Sequence, residues 1–211
     1  MRHRGACTLR AGGFTLLEVM VALSILGIVL GIGMPRMSEW IYASKVAAAG
    51  QFYAEGFSMA RNQALTQNGA SRLVLSKNSA NGQFDWRIDV CFPRSDEPCN
   101  EISTNWSSEA SAATRDPLGA KGFKSLKRSA EALPPAADLA QAIGPDDAAA
   151  VYFTPLGWVD PAVSPRIERI DLTPGSKHAQ VAPTAVVLTM AGNTIRCKPL
   201  AAASDPQRCP P

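Results

Sequence analysis

Glu18 is the only charged side chain in an apolar run of residues 14–34 that Thr15, Glu18 and Ser24 interrupt. As a helix, this run of about 21 residues would be roughly 30 Å long, which is the thickness of the apolar core of a bilayer. A carboxylate in such surroundings is costly unless it is paired, so Glu18 is a candidate functional residue that needs a cationic partner. The run therefore predicts a membrane-embedded helix over residues 14–35 that carries one site for polar pairing.

Four cysteines follow the apolar run and are candidates for covalent cross-links. They are Cys91, Cys99, Cys197 and Cys209. An even number in a domain exported across a membrane indicates two disulfides. Three pairings are possible, and we favour the local pairs, which close two short loops; free thiols are the alternative. No zinc site is predicted, because the spacings are not C-x-x-C and His178 is the only histidine after residue 13.

Residues that would carry catalysis are not arranged in any pattern that indicates an enzyme. The sequence has no phosphate-binding glycine-rich loop and no nucleophile motif. Acidic pairs occur at residues 96–97 and 146–147, but adjacent side chains on an extended chain point apart. We therefore predict a structural protein without a cofactor.

Two helical segments and a β-rich domain must position these residues. Pro35 is expected to kink the helix, which then resumes as an amphipathic helix over residues 36–69. Ile41, Phe52 and Ala60 are predicted to lie near its apolar face. A β-rich domain is predicted over residues 70–199, followed by a tail, residues 200–211, that Cys209 tethers.

Strand-like segments recur throughout the β-rich region. They are predicted at residues 72–75, 84–92, 150–159, 167–172, 184–190 and 194–197. Residues 84–92 alternate between apolar and polar side chains and are the clearest strand. Residues 100–149 are rich in Ser, Ala and Pro, so we predict a long surface insertion that includes one strand or short helix.

Positive charge is concentrated before the apolar run. The whole chain has 21 basic and 18 acidic side chains, and Arg2, Arg4 and Arg10 precede residue 14. Without these three arginines, 18 basic and 18 acidic side chains remain. The basic segment favours a cytoplasmic N-terminus. The balanced remainder does not indicate a general affinity for polyanions.

The N-terminal motif resembles the class III signal of type IV pilins and type II secretion pseudopilins. It runs Gly13-Phe14-Thr15-Leu16-Leu17-Glu18. The resemblance implies that a prepilin peptidase removes the leader, residues 1–13, by cutting between Gly13 and Phe14, and that the new amine of Phe14 is methylated. It also implies that Glu18 pairs with the amine of a neighbouring subunit, and that Pro35 lies where pilins often bend. A Sec signal peptide or a plain membrane anchor is the alternative, but a Sec signal is cut beyond its apolar region.

The second half of the chain is similar to the globular domain of the GspH/FimT group of minor pilins and pseudopilins. The similarity rests on residues 153–157, which read Phe-Thr-Pro-Leu-Gly, and on a Val-rich strand that turns through Gly192-Asn193 into a last strand. It implies an α+β pilin fold, in which a long N-terminal helix packs on an antiparallel β-sheet domain. Some members bind DNA through a Gly-Arg-x-Arg element. The first arginine of that element is missing here, and Arg196 and Lys198 remain as candidate DNA contacts.

Three functions follow as expectations. The first is a minor pilin that enters a type IV pilus through its N-terminal helix, and the second is a pseudopilin of a type II secretion system. The third is a DNA-binding minor pilin for natural transformation. In each case the expected partners are the prepilin peptidase, other pilins or pseudopilins and the inner membrane. We expect a single-pass inner-membrane protein with a periplasmic C-terminal domain, which joins a pilus or pseudopilus on assembly.

Overall fold

A computed structural model describes residues 13–95 and 97–210, apart from the side chains of residues 32–36. The chain divides into two compact units, Met1–Trp40 and Ile41–Pro211. Helix α1, Leu16–Gln67, contributes residues to both. The second unit contains all the described strands.

Eight strands are described in the second unit. They are β1 Ala70–Lys77, β2 Phe84–Cys91, β3 Leu126–Arg128, β4 Leu139–Gly144, β5 Ala150–Phe153, β6 Arg169–Pro174, β7 Thr184–Leu188 and β8 Thr194–Cys197. They form two four-stranded sheets with the orders β3-β2-β1-β5 and β4-β6-β7-β8. Every strand pair within the two sheets is antiparallel.

The β1–β2 hairpin forms where the sequence predicted it. Its register runs from Ala70 opposite Cys91 to Lys77 opposite Phe84. Gly82 lies in the connecting turn with φ +75°, a conformation that glycine adopts without steric cost. Asn-Gly pairs favour such turns for this reason.

The main core lies between α1 and both sheets. The helix contributes a buried stripe that repeats every three or four residues: Tyr42, Val46, Ala49, Tyr53, Phe57, Ala60 and Ala64. Strand residues such as Leu73, Trp86 and Ile170 belong to the same cluster. The fold class predicted from the sequence, a helix packed on antiparallel β-structure, is confirmed.

The apolar face predicted for the helix was only partly right. Phe52 and Ala60 are buried, but Ile41 is exposed and its neighbour Tyr42 is buried instead. The Tyr42 hydroxyl donates to the carbonyl of Asp138 at 2.5 Å, and the Tyr53 hydroxyl donates to that of Phe84 at 3.0 Å. Tyrosine can therefore occupy the core because its hydroxyl finds a partner there.

The 100–149 stretch differs from the surface insertion that the sequence predicted. It supplies β3 to the first sheet and β4 to the second. Leu139 of β4 is fully buried in the main core, together with Ala130 and Ala148. These strands escaped prediction because neither shows a clear apolar alternation. Strand β3 has only three residues, two of them basic, and Leu139 of β4 stands among alanines and a glutamine.

Residues 155–159 also differ from the prediction of a strand. They form a turn, in which the Thr154 N–H donates to the Trp158 carbonyl at 2.8 Å. Gly157 has φ +75° in this turn. Only Val159 returns to the first sheet, through an isolated bridge to Phe153.

The polar side of β2 is buried as well. Asp89 is fully buried, and its carboxylate accepts bonds from the Nε atoms of Arg72 and Arg87, each at 2.8 Å. The Arg72 guanidinium lies 4.4 Å from the ring centroid of Trp106. This ion-paired cluster satisfies the buried charge and joins the first sheet to the loop that covers it.

Candidate functional site

The predicted assembly residue, Glu18, lies in the first turn of α1. Its backbone N–H donates to the Thr15 Oγ1 at 3.2 Å, and the Val19 N–H donates to the Thr15 carbonyl at 3.2 Å. Thr15 is therefore the N-cap of the helix. A carboxylate in the first turn also interacts favourably with the positive end of the helix dipole.

The first turns of α1 present apolar side chains on all sides. The side chains that are 45% to 81% exposed are Phe14, Leu16, Leu17, Val19, Met20, Val21, Leu23, Ile25, Leu26, Ile28, Val29 and Leu30. The Glu18 side chain is also exposed. A helix that is apolar all round needs surroundings of lipid or of other helices.

Within the described residues, no helix combines the length and the apolar character needed to cross a membrane.

Several predicted features fall outside the described part of the chain. The leader residues 1–12 are not described, and neither is the side chain of Pro35. The helical assignment continues through residue 35. The leader, the cut after Gly13 and the kink at Pro35 therefore stay predictions.

The four cysteines of the second unit form two disulfides, Cys91–Cys99 and Cys197–Cys209. These are the local pairs among the three arrangements considered. Cys91 lies at the end of β2 beside Trp106 and Tyr152. Cys197 ends β8, and Cys209 packs with it against Ala185, so this bond fixes the tail on the second sheet.

The two candidate DNA contacts, Arg196 and Lys198, are both exposed. The tail brings a third cation beside them, because Lys198 and Arg208 form an isolated parallel bridge. In the described part of the chain none of these three side chains makes an ion pair. An open groove of about 410 Å³ adjoins them and is lined by Thr184, Arg196, Cys197, Lys198 and Gln207.

The sequence reasoning missed two contributors to these sites. Thr15 was treated only as an interruption of the apolar run, although a Thr three residues before a Glu is a recognisable helix N-cap signal. Arg208 was missed because it reaches Lys198 only when the tail folds back against β8. In the sequence, only the spacing of Cys197 and Cys209 indicated that the tail folds back.

No group of three or more His, Cys, Asp and Glu side chains that could hold a metal ion occurs in the described ranges.

Residues 9–34 match the family model of the prokaryotic N-terminal methylation motif. At its N-terminus the chain is pilin-like. This motif implies processing by a prepilin peptidase and assembly with other pilins, and it belongs to structural subunits. No curated protein and no solved structure matches the chain significantly, so membership of the GspH/FimT group stays a prediction.

Proposed function

We propose that this protein is a minor pilin that enters a type IV pilus through its N-terminal helix. The methylation motif at residues 9–34 carries this proposal. Before assembly, residues 14–35 would lie in the inner membrane, with the β-rich domain in the periplasm. The exposed apolar side chains of residues 14–30 support this, because lipid or other apolar helices would remove them from water.

Glu18 would give assembly its specificity. Moving an apolar helix from lipid into a bundle of similar helices changes its apolar surroundings little. An unpaired carboxylate in lipid costs about 3 kcal/mol on insertion scales. The methylated amine of Phe14 on a neighbouring subunit would offset that cost, so the filament would stabilise Glu18 where lipid does not.

The first test removes the Glu18 carboxylate. We expect Glu18→Val to insert into the membrane normally and to be absent from sheared filaments, as measured by immunoblotting of the two fractions. The matched control is Ser24→Ala, since the Ser24 hydroxyl donates to the Met20 carbonyl of its own helix at 2.8 Å and needs no partner from outside. Filaments that contain the Glu18→Val variant at the wild-type level would refute the pairing.

Processing is tested on the same material. Mass spectrometry of the purified protein is expected to give a mature chain that begins at N-methylated Phe14. A mature chain that begins elsewhere would favour the Sec signal or plain anchor instead.

A pseudopilin of a type II secretion system shares the same N-terminal motif and is the alternative. The two are separated by the subunits that surround the protein. Gln51 is exposed on the part of α1 that belongs to the second unit, so a photo-crosslinker placed there samples neighbours. Cross-links to pilus subunits support the proposal, and cross-links to secretion pseudopilins favour the alternative.

DNA uptake is a further candidate, favoured by the exposed and unpaired Arg196 and Lys198. DNA binding through phosphate contacts weakens as salt rises. If the candidate holds, Arg196→Ala combined with Lys198→Ala should weaken binding and reduce its salt dependence. Binding that the double variant leaves unchanged would exclude these two residues as the contacts.

A further inference from the structure

Strand β8 is the edge of the second sheet, and the hydrogen-bond pattern shows which of its backbone groups are open. The Thr189 N–H donates to the Asn193 carbonyl at 2.9 Å, so these two residues are a bonded pair. Bonded pairs alternate along an antiparallel ladder. The register then makes Val187–Ile195 and Ala185–Cys197 the next bonded pairs. The N–H and C=O groups of Thr194 and Arg196 therefore point away from β7.

The tail fills only one end of this edge. The Lys198 N–H donates to the Gln207 carbonyl at 2.7 Å, and the Lys198 carbonyl accepts from the Cys209 N–H at 3.4 Å. The Cys197–Cys209 disulfide holds the tail in this place. Across the described residues, no group bonds to the outward backbone of Thr194 or Arg196. Two adjacent rungs of the ladder are thus open, and the tail blocks the third.

The side chains around the open rungs indicate what can bind there. Arg196 and Lys198 lie two residues apart and share one face of the strand, and Arg208 lies beside Lys198. The nearby acid of the tail, Asp205, has its Oδ1 bonded to the Gln207 N–H. Ile195 projects to the opposite face and is 41% exposed. One side of the edge is therefore cationic and the other is apolar.

We propose that the open edge of β8 binds an extended acidic segment of a partner protein, which adds a short strand at Thr194 and Arg196. Main-chain bonds to a sheet edge supply affinity, and alternate side chains supply specificity. Directly opposed residues of paired strands share a face. The segment accordingly carries an acidic residue opposite Arg196, where it also lies next to Arg208, and an apolar residue opposite Ile195.

The test uses the full chain in detergent micelles and a synthetic peptide in which Glu and Val alternate. A control peptide has the same composition with its Glu residues contiguous. We expect the alternating peptide to slow amide hydrogen exchange at Thr194 and Arg196 at least tenfold, and the control peptide to have little effect. Equal protection by both peptides, or no protection by either, would overturn the proposal.

Variants separate the backbone contribution from the charge. Arg196→Gln keeps the outward N–H and should weaken binding about tenfold. Arg196→Pro removes the outward N–H as well, without losing a bond to β7, and should abolish the binding that remains. The matched control Lys177→Gln removes an exposed cation from the 3-10 turn Ser176–His178 and should leave binding unchanged. If Arg196→Pro does not fold, the exchange data and Arg196→Gln still decide the matter.

The last experiment tests a single-stranded oligonucleotide that has the same net charge as the alternating peptide. A strand-adding site should prefer the alternating peptide and should show protection at both open amides. Tighter binding of the oligonucleotide, without amide protection, would show that the edge recognises polyanion charge and would overturn the proposal.

Discussion

Asp85 is a buried acid with a structural role that its sequence position does not reveal. It is 6% exposed, and its Oδ1 accepts the Ala130 N–H and the Asn78 amide, each at 2.8 Å. Burial raises the pKa of Asp85, but these bonds and the positive charge of Lys127 outweigh it and hold the pKa below the ordinary value of 3.8. The carboxylate thereby joins β2 to the segment that follows β3.

This shift predicts an acid-dependent stability. Because the pKa is lowered by folding, the contribution of Asp85 is fully present above pH 3.8 and is lost as pH falls through the folded value. We expect Asp85→Asn to destabilise the domain by about 1–3 kcal/mol at pH 7 and by less at pH 3. Urea unfolding at both values measures this. The exposed Glu109→Gln is the control, and an equal loss at both pH values for Asp85→Asn would contradict the assignment.

At the scale of the element, two glycines of α1 that the structure describes as buried, Gly50 and Gly56, have different surroundings. A Cβ added at Gly50 would lie 3.5 Å from the Thr184 Cγ2, which is an ordinary contact. A Cβ added at Gly56 would lie 2.9 Å from the Leu73 Cδ1 and 3.2 Å from the Trp86 ring. Gly56 thus permits a close approach between the helix and the first sheet, whereas Gly50 leaves room for a methyl group.

The two glycines form a matched pair for mutation. Alanine is favoured over glycine inside a helix by about 1 kcal/mol. Gly50→Ala should therefore stabilise the protein by up to that amount. Gly56→Ala should destabilise it by about 1–3 kcal/mol, because overpacking outweighs the gain in propensity. Chemical denaturation measures the free energy of unfolding of both variants. If Gly56→Ala is stabilising, the side chains of Leu73 and Trp86 can move aside at little cost.

The same elements show what the sequence could and could not predict. Strand β2 was predictable because its apolar residues alternate, and the hairpin before it follows from Asn81-Gly82. Strand β4 was not, since the buried Leu139 stands among alanines and a glutamine. The helix was predictable as an element, but its buried stripe was only partly predicted, since Tyr42 is buried and its neighbour Ile41 is exposed. Burial of Tyr42 depends on the carbonyl of Asp138, which lies 96 residues away in sequence.

The candidate sites divide along similar lines. Gly13, Phe14 and Glu18 lie within one short stretch of sequence, so their motif can be read locally and the family model recognises it. The basic cluster on β8 could be predicted only in part from the sequence. Arg196 and Lys198 lie in one stretch, whereas Arg208 joins them through a disulfide and a parallel bridge. Long-range pairing of this kind leaves no local pattern.

At the scale of the whole molecule, the two units differ in how they satisfy their apolar residues. In the described chain, every buried apolar side chain lies between Tyr42 and Cys209, so the core belongs wholly to the second unit. The large apolar side chains of residues 14–30 are exposed instead. Stability of the fold should therefore be independent of the first unit, and the first unit should govern assembly.

This separation predicts how truncation acts. A fragment of residues 41–211 should fold with the thermal midpoint of the full chain in detergent, because it keeps every buried contact. A fragment of residues 48–211 loses Val46 and Tyr42, whose ring stacks on His178 at 3.6 Å. The loss of this buried apolar surface should lower the free energy of unfolding by about 3 kcal/mol or more, so the midpoint of the shorter fragment should fall by about 10 °C.

Circular dichroism melts of both fragments, each with its disulfides intact, measure the difference. Equal midpoints would show that α1 contributes to the core only beyond residue 47, and an unfolded 41–211 fragment would show that the first unit is needed for folding.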